Sequence, residues 1–177
     1  MQPWIQWIAA PVVVVATPVY AVQYLTAEQA QAALFPPGTS FAVHPLELGD
    51  AQREAIERDS GQRVREARPQ VWQALAQGRP AGWFFVDQVI GKHEFITYAL
   101  ALGADGTVLG IEIMDYRETY GGEIRNAAWR SQFVGRHHGD TFKLGDTIRN
   151  ITGATLSCRN VMNGVKRLLA MHALLLK

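Results

Sequence analysis

Between Gly82 and Tyr116 the apolar positions recur with a period of about two, the period of a strand rather than a helix. Ile96, Tyr98, Leu100 and Leu102 alternate with Phe95, Thr97, Ala99 and Ala101. Gly91-Lys92 and Ala104-Asp105-Gly106 supply turn chemistry on either side. The pattern predicts strands over Trp83–Ile90, Glu94–Leu102 and Thr107–Tyr116, joined as an antiparallel meander. In the third strand Val108, Gly110, Glu112 and Met114 are expected on one face, with Leu109, Ile111 and Ile113 on the other. One face should be the better buried and lie under a helix.

Helical spacing brackets this block. Thr26 followed by Gln29 matches a capping box and predicts a short helix over Ala27–Leu34, stopped by Pro36-Pro37-Gly38. Asp50 is placed to cap a charged helix over Ala51–Asp59, with Ala55 and Ile56 as its apolar edge and Ser60-Gly61 at its end. Asn126–Val134 predicts a short helix with Trp129 and Phe133 on one face. At the end of the chain Val161, Val165, Leu168, Leu169, Leu175 and Leu176 form an amphipathic stripe, interrupted by His172, which reads as a core-edge residue with a satisfied hydrogen bond. Together these elements define an α+β domain, an antiparallel sheet with packed helices.

Charge distribution divides the chain. Every Asp, Glu, Lys and Arg lies at Glu28 or later. The uncharged opening contains the Val12–Val15 run and ends in a cleavage-like Val19-Tyr20-Ala21, which reads as a signal peptide over residues 1–21. It is also long enough to be an uncleaved anchor, since a span needs roughly 20 residues. Either way the expectation is export, with one domain over residues 22–177, at the periplasm or the periplasmic face of the inner membrane. Seventeen basic against sixteen acidic side chains give a net charge of +1, too little to argue for nucleic acid as a partner. The single cysteine, Cys158, has no second thiol with which to form an intrachain disulfide or a redox pair.

The most informative run is Ile148 to Ser157, immediately before the last helical pattern. It reads as a short extended piece, a small-residue turn and a helix start. Gly153 and Ala154 leave room for a bulky group near the backbone, and Thr155 presents a hydroxyl there. The first N–H groups of the helix, expected around Ser157 and Cys158, are suited to a phosphate, with Arg149 or Arg159 as further partners. The same run also reads as an ordinary helix start capped by Thr155 or Ser157.

Thr152-Gly153-Ala154-Thr155-Leu156-Ser157 resembles the Ser/Thr-Gly-Ala-Thr-x-Ser/Thr signature of the FMN-binding domain family. That family includes the FMN-carrying subunits of the sodium-pumping NADH:quinone reductase and of the Rnf complex. Gly91-Lys92-His93-Glu94, Gly110 through Glu118, and Trp129 to Gly135 are similar to small single-domain exported members, so the likeness spans roughly Leu25 to Leu169. Arg149 departs from the motif, which often carries Asp there, while Asp146 lies three residues upstream. The resemblance implies FMN joined by a phosphoester to Thr155, installed by a dedicated flavin transferase, with Thr152, Gly153, Ala154, Leu156 and Ser157 around the attachment. It also implies contacts to the flavin ring from Glu118, Thr119 and Tyr120, which resemble a Glu-Thr-x-Gly loop; the same residues alone read equally as a strand exit, with Tyr116 at the sheet edge.

Other constellations carry less. His137-His138 with Asp140 reads as a solvated loop rather than a metal site, and His93 and Glu94, placed on a strand, would face opposite ways. There is no Gly-x-Ser-x-Gly elbow, P-loop or nicotinamide fingerprint. The expected function is an exported electron-transfer flavoprotein exchanging electrons with membrane-associated redox proteins. The alternatives are a flavin-dependent redox sensor or assembly module of a membrane complex and, ranked last, a flavin reductase.

Overall fold

The computed structural model describes residues 25–176; the segment read as a signal or anchor lies outside them. Five strands, β1 (Thr39–Val43), β2 (Gln70–Ala76), β3 (Arg79–Ile90), β4 (Phe95–Gly103) and β5 (Val108–Tyr116), form one antiparallel sheet in sequence order. The helices are α1 (Ala27–Leu34), α2 (Asp50–Ser60), α3 (Ala127–Arg130) and α4 (Thr155–Leu175). The expected α+β architecture is what the chain adopts, with both sheet faces covered.

The alternation in β4 explains the two layers. Ile96, Tyr98, Leu100 and Leu102 join the larger core, in which α4 contributes Val161, Val165, Leu168 and Leu169. Ala99 and Ala101 point the other way and, with Phe84 and Met114, form a smaller core under Ala30 and Phe35 from α1 and the residue after it. An eight-residue helix is too short to persist in isolation. The capping box of Thr26 and Gln29, seen as expected, sets where α1 starts, and burial of Ala30 holds it down.

Several expectations are corrected. The first two strands were not anticipated: β1 is an exposed edge, and the β2–β3 turn is Gln77-Gly78, both with positive φ (51° and 75°), the geometry of a type I′ hairpin. In β5 the strict alternation fails, because register shifts opposite Thr97/Tyr98 and Ala101/Leu102 insert extra residues. Val108 therefore shares the α4-side core with Ile111, Ile113 and Tyr116, rather than a face with Met114. Asp50 is the first residue of α2, not its cap; Gly49 is the N-cap, and its N–H donates to Gln52 Oε1 at 2.9 Å. Asn126–Val134 is not one helix but α3 followed by a 3-10 turn, although Trp129 and Phe133 are buried together with ring centroids 5.2 Å apart. His172 is inside the core beside Trp83.

α4 lies close to the sheet where Gly164 crosses Tyr98. A Cβ at Gly164 would stand 2.3 Å from Tyr98 Oη and 3.0 Å from Val89 Cγ1. Tyr98 is fully buried and donates to Asp87 Oδ2 at 2.6 Å, and Arg167 Nη2 donates to the same oxygen at 2.5 Å. Burial, then the Asp87 charge, push the Tyr98 phenol well above its ordinary range, so it stays protonated and serves as a donor. Gly164→Ala must force the helix or the phenol to move. The expected loss is about 1–3 kcal/mol of unfolding free energy, the usual cost of overpacking a core, measured by urea denaturation.

Candidate functional site

The run before α4 is anchored from behind. Ile148 is fully buried, the Arg149 N–H donates to Gln132 Oε1 at 2.7 Å, and Trp129 Nε1 donates to the Arg149 carbonyl at 2.8 Å. Arg136 fixes the preceding loop, donating to the carbonyls of Gln132 (2.8 Å) and Thr147 (2.7 Å). Ile151 to Ala154 then form a turn closed by Ala154 N–H to Ile151 C=O at 3.0 Å. Gly153 takes φ +84° at its third position, where a side chain would be strained.

Thr155 is the first residue of α4, half-buried, and its Oγ1 accepts from Asn150 Nδ2 at 3.0 Å. The N-cap is Ala154, which offers no side-chain acceptor, so neither Thr155 nor Ser157 caps the helix. The first helical bond runs from Cys158 N–H to Ala154 C=O at 2.9 Å. It follows that the N–H groups without a helical partner are those of Thr155, Leu156 and Ser157, one turn earlier than expected from sequence. Ser157 turns inward, 3% exposed, with its Oγ 3.4 Å from Tyr116 Oη. Burial also pushes the Cys158 thiol up, which keeps it protonated at neutral pH and leaves it a packing residue.

A second loop leans on this turn. After β5, Tyr116 Oη donates to the Tyr120 carbonyl, and a Cβ at Gly121 would lie 2.6 Å from Ala154 Cβ and 2.7 Å from Tyr116 Oη. Only glycine lets the loop approach so closely, and φ +90° there favours glycine as well. Burial pushes the Tyr116 phenol up, so it remains a proton donor. The structure thus brings the 152–157 run and Tyr120 together through Tyr116, a residue that the sequence placed only at a sheet edge. Tyr120 itself is 80% exposed, and Thr119 is exposed beside it.

Glu118 turns to the β3–β4 hairpin. Its Oε1 accepts from the N–H groups of His93 (2.6 Å) and Glu94 (3.1 Å), so His93 and Glu94 lie in a turn and not on a strand. His138 pairs with Asp59 of α2 at 2.5 Å, and His137 with Asp140 at 3.4 Å. Among the described residues no cluster of three or more metal-ligating side chains exists.

The comparisons agree with this geometry. Residues 91–170, which hold the hairpin, the 117–122 loop, the attachment turn and most of α4, match the model of the FMN-binding domain family. The chain therefore belongs to the FMN-binding domain family through that segment. In fold it is similar to NqrC of Shewanella oneidensis, at TM-score 0.51 and 18% identity over 73% of this chain and 77% of that one. It is also similar to the corresponding component of the Na(+)-translocating NADH-quinone reductase of Parabacteroides distasonis, at TM-score 0.51 and 15% identity over 76% of this chain and 75% of that one. A search of curated proteins finds no match in sequence.

Two outcomes are expected from the loop contacts. Tyr116→Phe removes the donor to the Tyr120 carbonyl at a cost of about 1 kcal/mol, seen as faster amide hydrogen exchange across residues 117–122 with little change elsewhere. Burial works to raise the Glu118 pKa, but the N–H groups of His93, Glu94 and Lys92 outweigh it and hold the carboxyl below the ordinary 4.5. A lowered folded pKa stabilises fully above the unfolded value and is lost as pH falls through the folded one. Protection of the His93 and Glu94 amides is thus expected to drop on acidification below the ordinary glutamate range, and to be independent of pH there in Glu118→Gln.

Proposed function

We propose that this protein is an exported electron-transfer flavoprotein carrying FMN through a phosphoester to Thr155. The observation that carries the reading is the Thr155 hydroxyl, half-buried at a helix N-terminus without a side-chain cap, inside the segment that matches the FMN-binding domain. The residues present fit the group. N–H donors of Thr155, Leu156 and Ser157 suit a phosphate. Arg149 and Arg159, both exposed and neither in an ion pair among the described residues, add positive charge on either side of the turn. A Cβ built at Gly153 meets nothing within 4 Å, so the approach to the turn is open.

When bound, FMN supplies reversible redox chemistry in its isoalloxazine ring. Thr152, Gly153 and Ala154 shape the turn, and Leu156 and Ser157 furnish backbone donors. Thr119 and Tyr120 stand on the loop packed against that turn, where the exposed Tyr120 ring is available to stack on a flavin. Glu118 supports that loop by its hold on the 91–94 turn and is the third candidate for a ring contact. Nothing in the lining supplies a substrate acid or base, which favours a carrier over an enzyme. Membrane redox proteins are the proposed partners, and a flavin transferase is the proposed maturation enzyme. No described helix is long and apolar enough to cross a membrane. Export rests on the uncharged opening, as either signal or anchor.

Intact-mass measurement after co-expression with a flavin transferase is expected to show the chain heavier by FMN less one water. Thr155→Val should abolish the increase and Thr155→Ser retain it. An unmodified wild-type chain, or a covalent flavin surviving in the Val variant, overturns the linkage.

A further inference from the structure

β2 first pairs with β3 at Gln70 and Val86, so Asp87–Ile90 has β4 on one side and no strand on the other. Residues 61–69, which connect α2 to β2, border the gap, and α4 closes it with Asn160, Asn163 and Arg167. The result is a groove of about 840 Å³, within the range of small-molecule sites. It is separate from the attachment turn, but its near end at Asn160 is about 7.5 Å along α4 from Thr155, at 1.5 Å per residue.

Its walls are of two kinds. Val89, Leu168 and Met171 give an apolar base, extended by Ile90 and Phe95, which are 41% and 54% exposed. The charges are uneven. Asp87 is neutralised by Arg167, whose Nη1 also donates to the Arg63 carbonyl at 3.3 Å and ties the 61–69 segment to α4. Arg68 pairs with Glu47 at 3.1 Å, and its own N–H donates to Glu66 Oε1 at 3.0 Å. Arg63 and Arg65 line the groove, are exposed, and have no carboxylate partner among the described residues. An apolar wall beside two uncompensated guanidiniums matches one kind of molecule.

We propose that this groove binds an organic acid with a flat apolar body, its carboxylate held by Arg63 and Arg65. An added peptide strand fits less well, because the open edge is only four residues long and the Ile90 carbonyl is already taken by Asn160 Nδ2 at 2.7 Å. A polyanion such as a nucleotide would meet too few unpaired cations. The proposal goes beyond the flavin reading and does not depend on it.

The test titrates the full chain with naphthoate and with its neutral analogue naphthalenemethanol by isothermal calorimetry. One saturable site is expected for the acid, with the alcohol about tenfold weaker, a difference of about 1.4 kcal/mol. The double variant Arg63→Gln/Arg65→Gln, changed only at exposed positions, should bind the acid no better than the alcohol. Asn163→Trp, which fills the groove away from Thr155, should abolish both. No saturable site, or acid binding unchanged in the double variant, overturns the proposal. So does self-association by sedimentation that Asn163→Trp removes, because the groove then belongs to a second copy of the chain. Flavin content by intact mass is expected to be the same in these variants, so failure here is distinguishable from failure of the Thr155 linkage.

Discussion

The close contact of α4 with the large-residue face of the sheet sets the position of nearly everything else. Gly164 lets the helix axis settle over Tyr98, and the Asp87–Arg167 pair fixes its rotation about that point. A half-buried ion pair of this kind contributes little net stability once desolvation is counted. Its value lies in geometry, because an unpaired Asp87 or Arg167 would be costly and alternative placements of the helix are penalised. With the helix axis fixed, the first turn of α4 has one location, and so does the Thr155 hydroxyl.

The sheet's two faces divide the work. Bulky side chains on the α4 side build the main core, while alanines on the other side let a short helix sit close. The loops after β5 and before α4 then meet beyond the sheet's end. Their contacts are polar and directional, namely Tyr116 to Tyr120 and Ser157, Glu118 to the 91–94 turn, and Trp129 to Arg149. Stability thus comes mainly from the packed layers, and shape at the site comes from hydrogen bonds that the layers bring into range.

Much of this was legible in the chain. β3, β4 and β5 were readable because their alternation is strong and their turns carry glycine. α4 was readable because its stripe repeats over several turns. β1 was not, since an exposed edge strand has little hydrophobic contrast, and β2 was hidden by a Gln-Gly turn that lacks the usual Asn or Asp. Bulges in β5 defeat any argument that counts by twos. At the site the 152–157 run stood out through its small residues and hydroxyls. Tyr116 and Asn150 did not, because their parts depend on partners brought near by the fold: Ser157 lies 41 positions from Tyr116, and Asn150 acts only once the turn has closed.

The bond from Asn150 to Thr155 has a direction that matters. Asn150 gives the hydrogen and the threonine oxygen receives it. An oxygen that has exchanged its own hydrogen for a phosphorus atom can still receive one, whereas a partner that needed a hydrogen from threonine would be lost. The amide can therefore keep its grip before and after esterification at that atom, so the side chain need not be reoriented between the bare and the loaded protein.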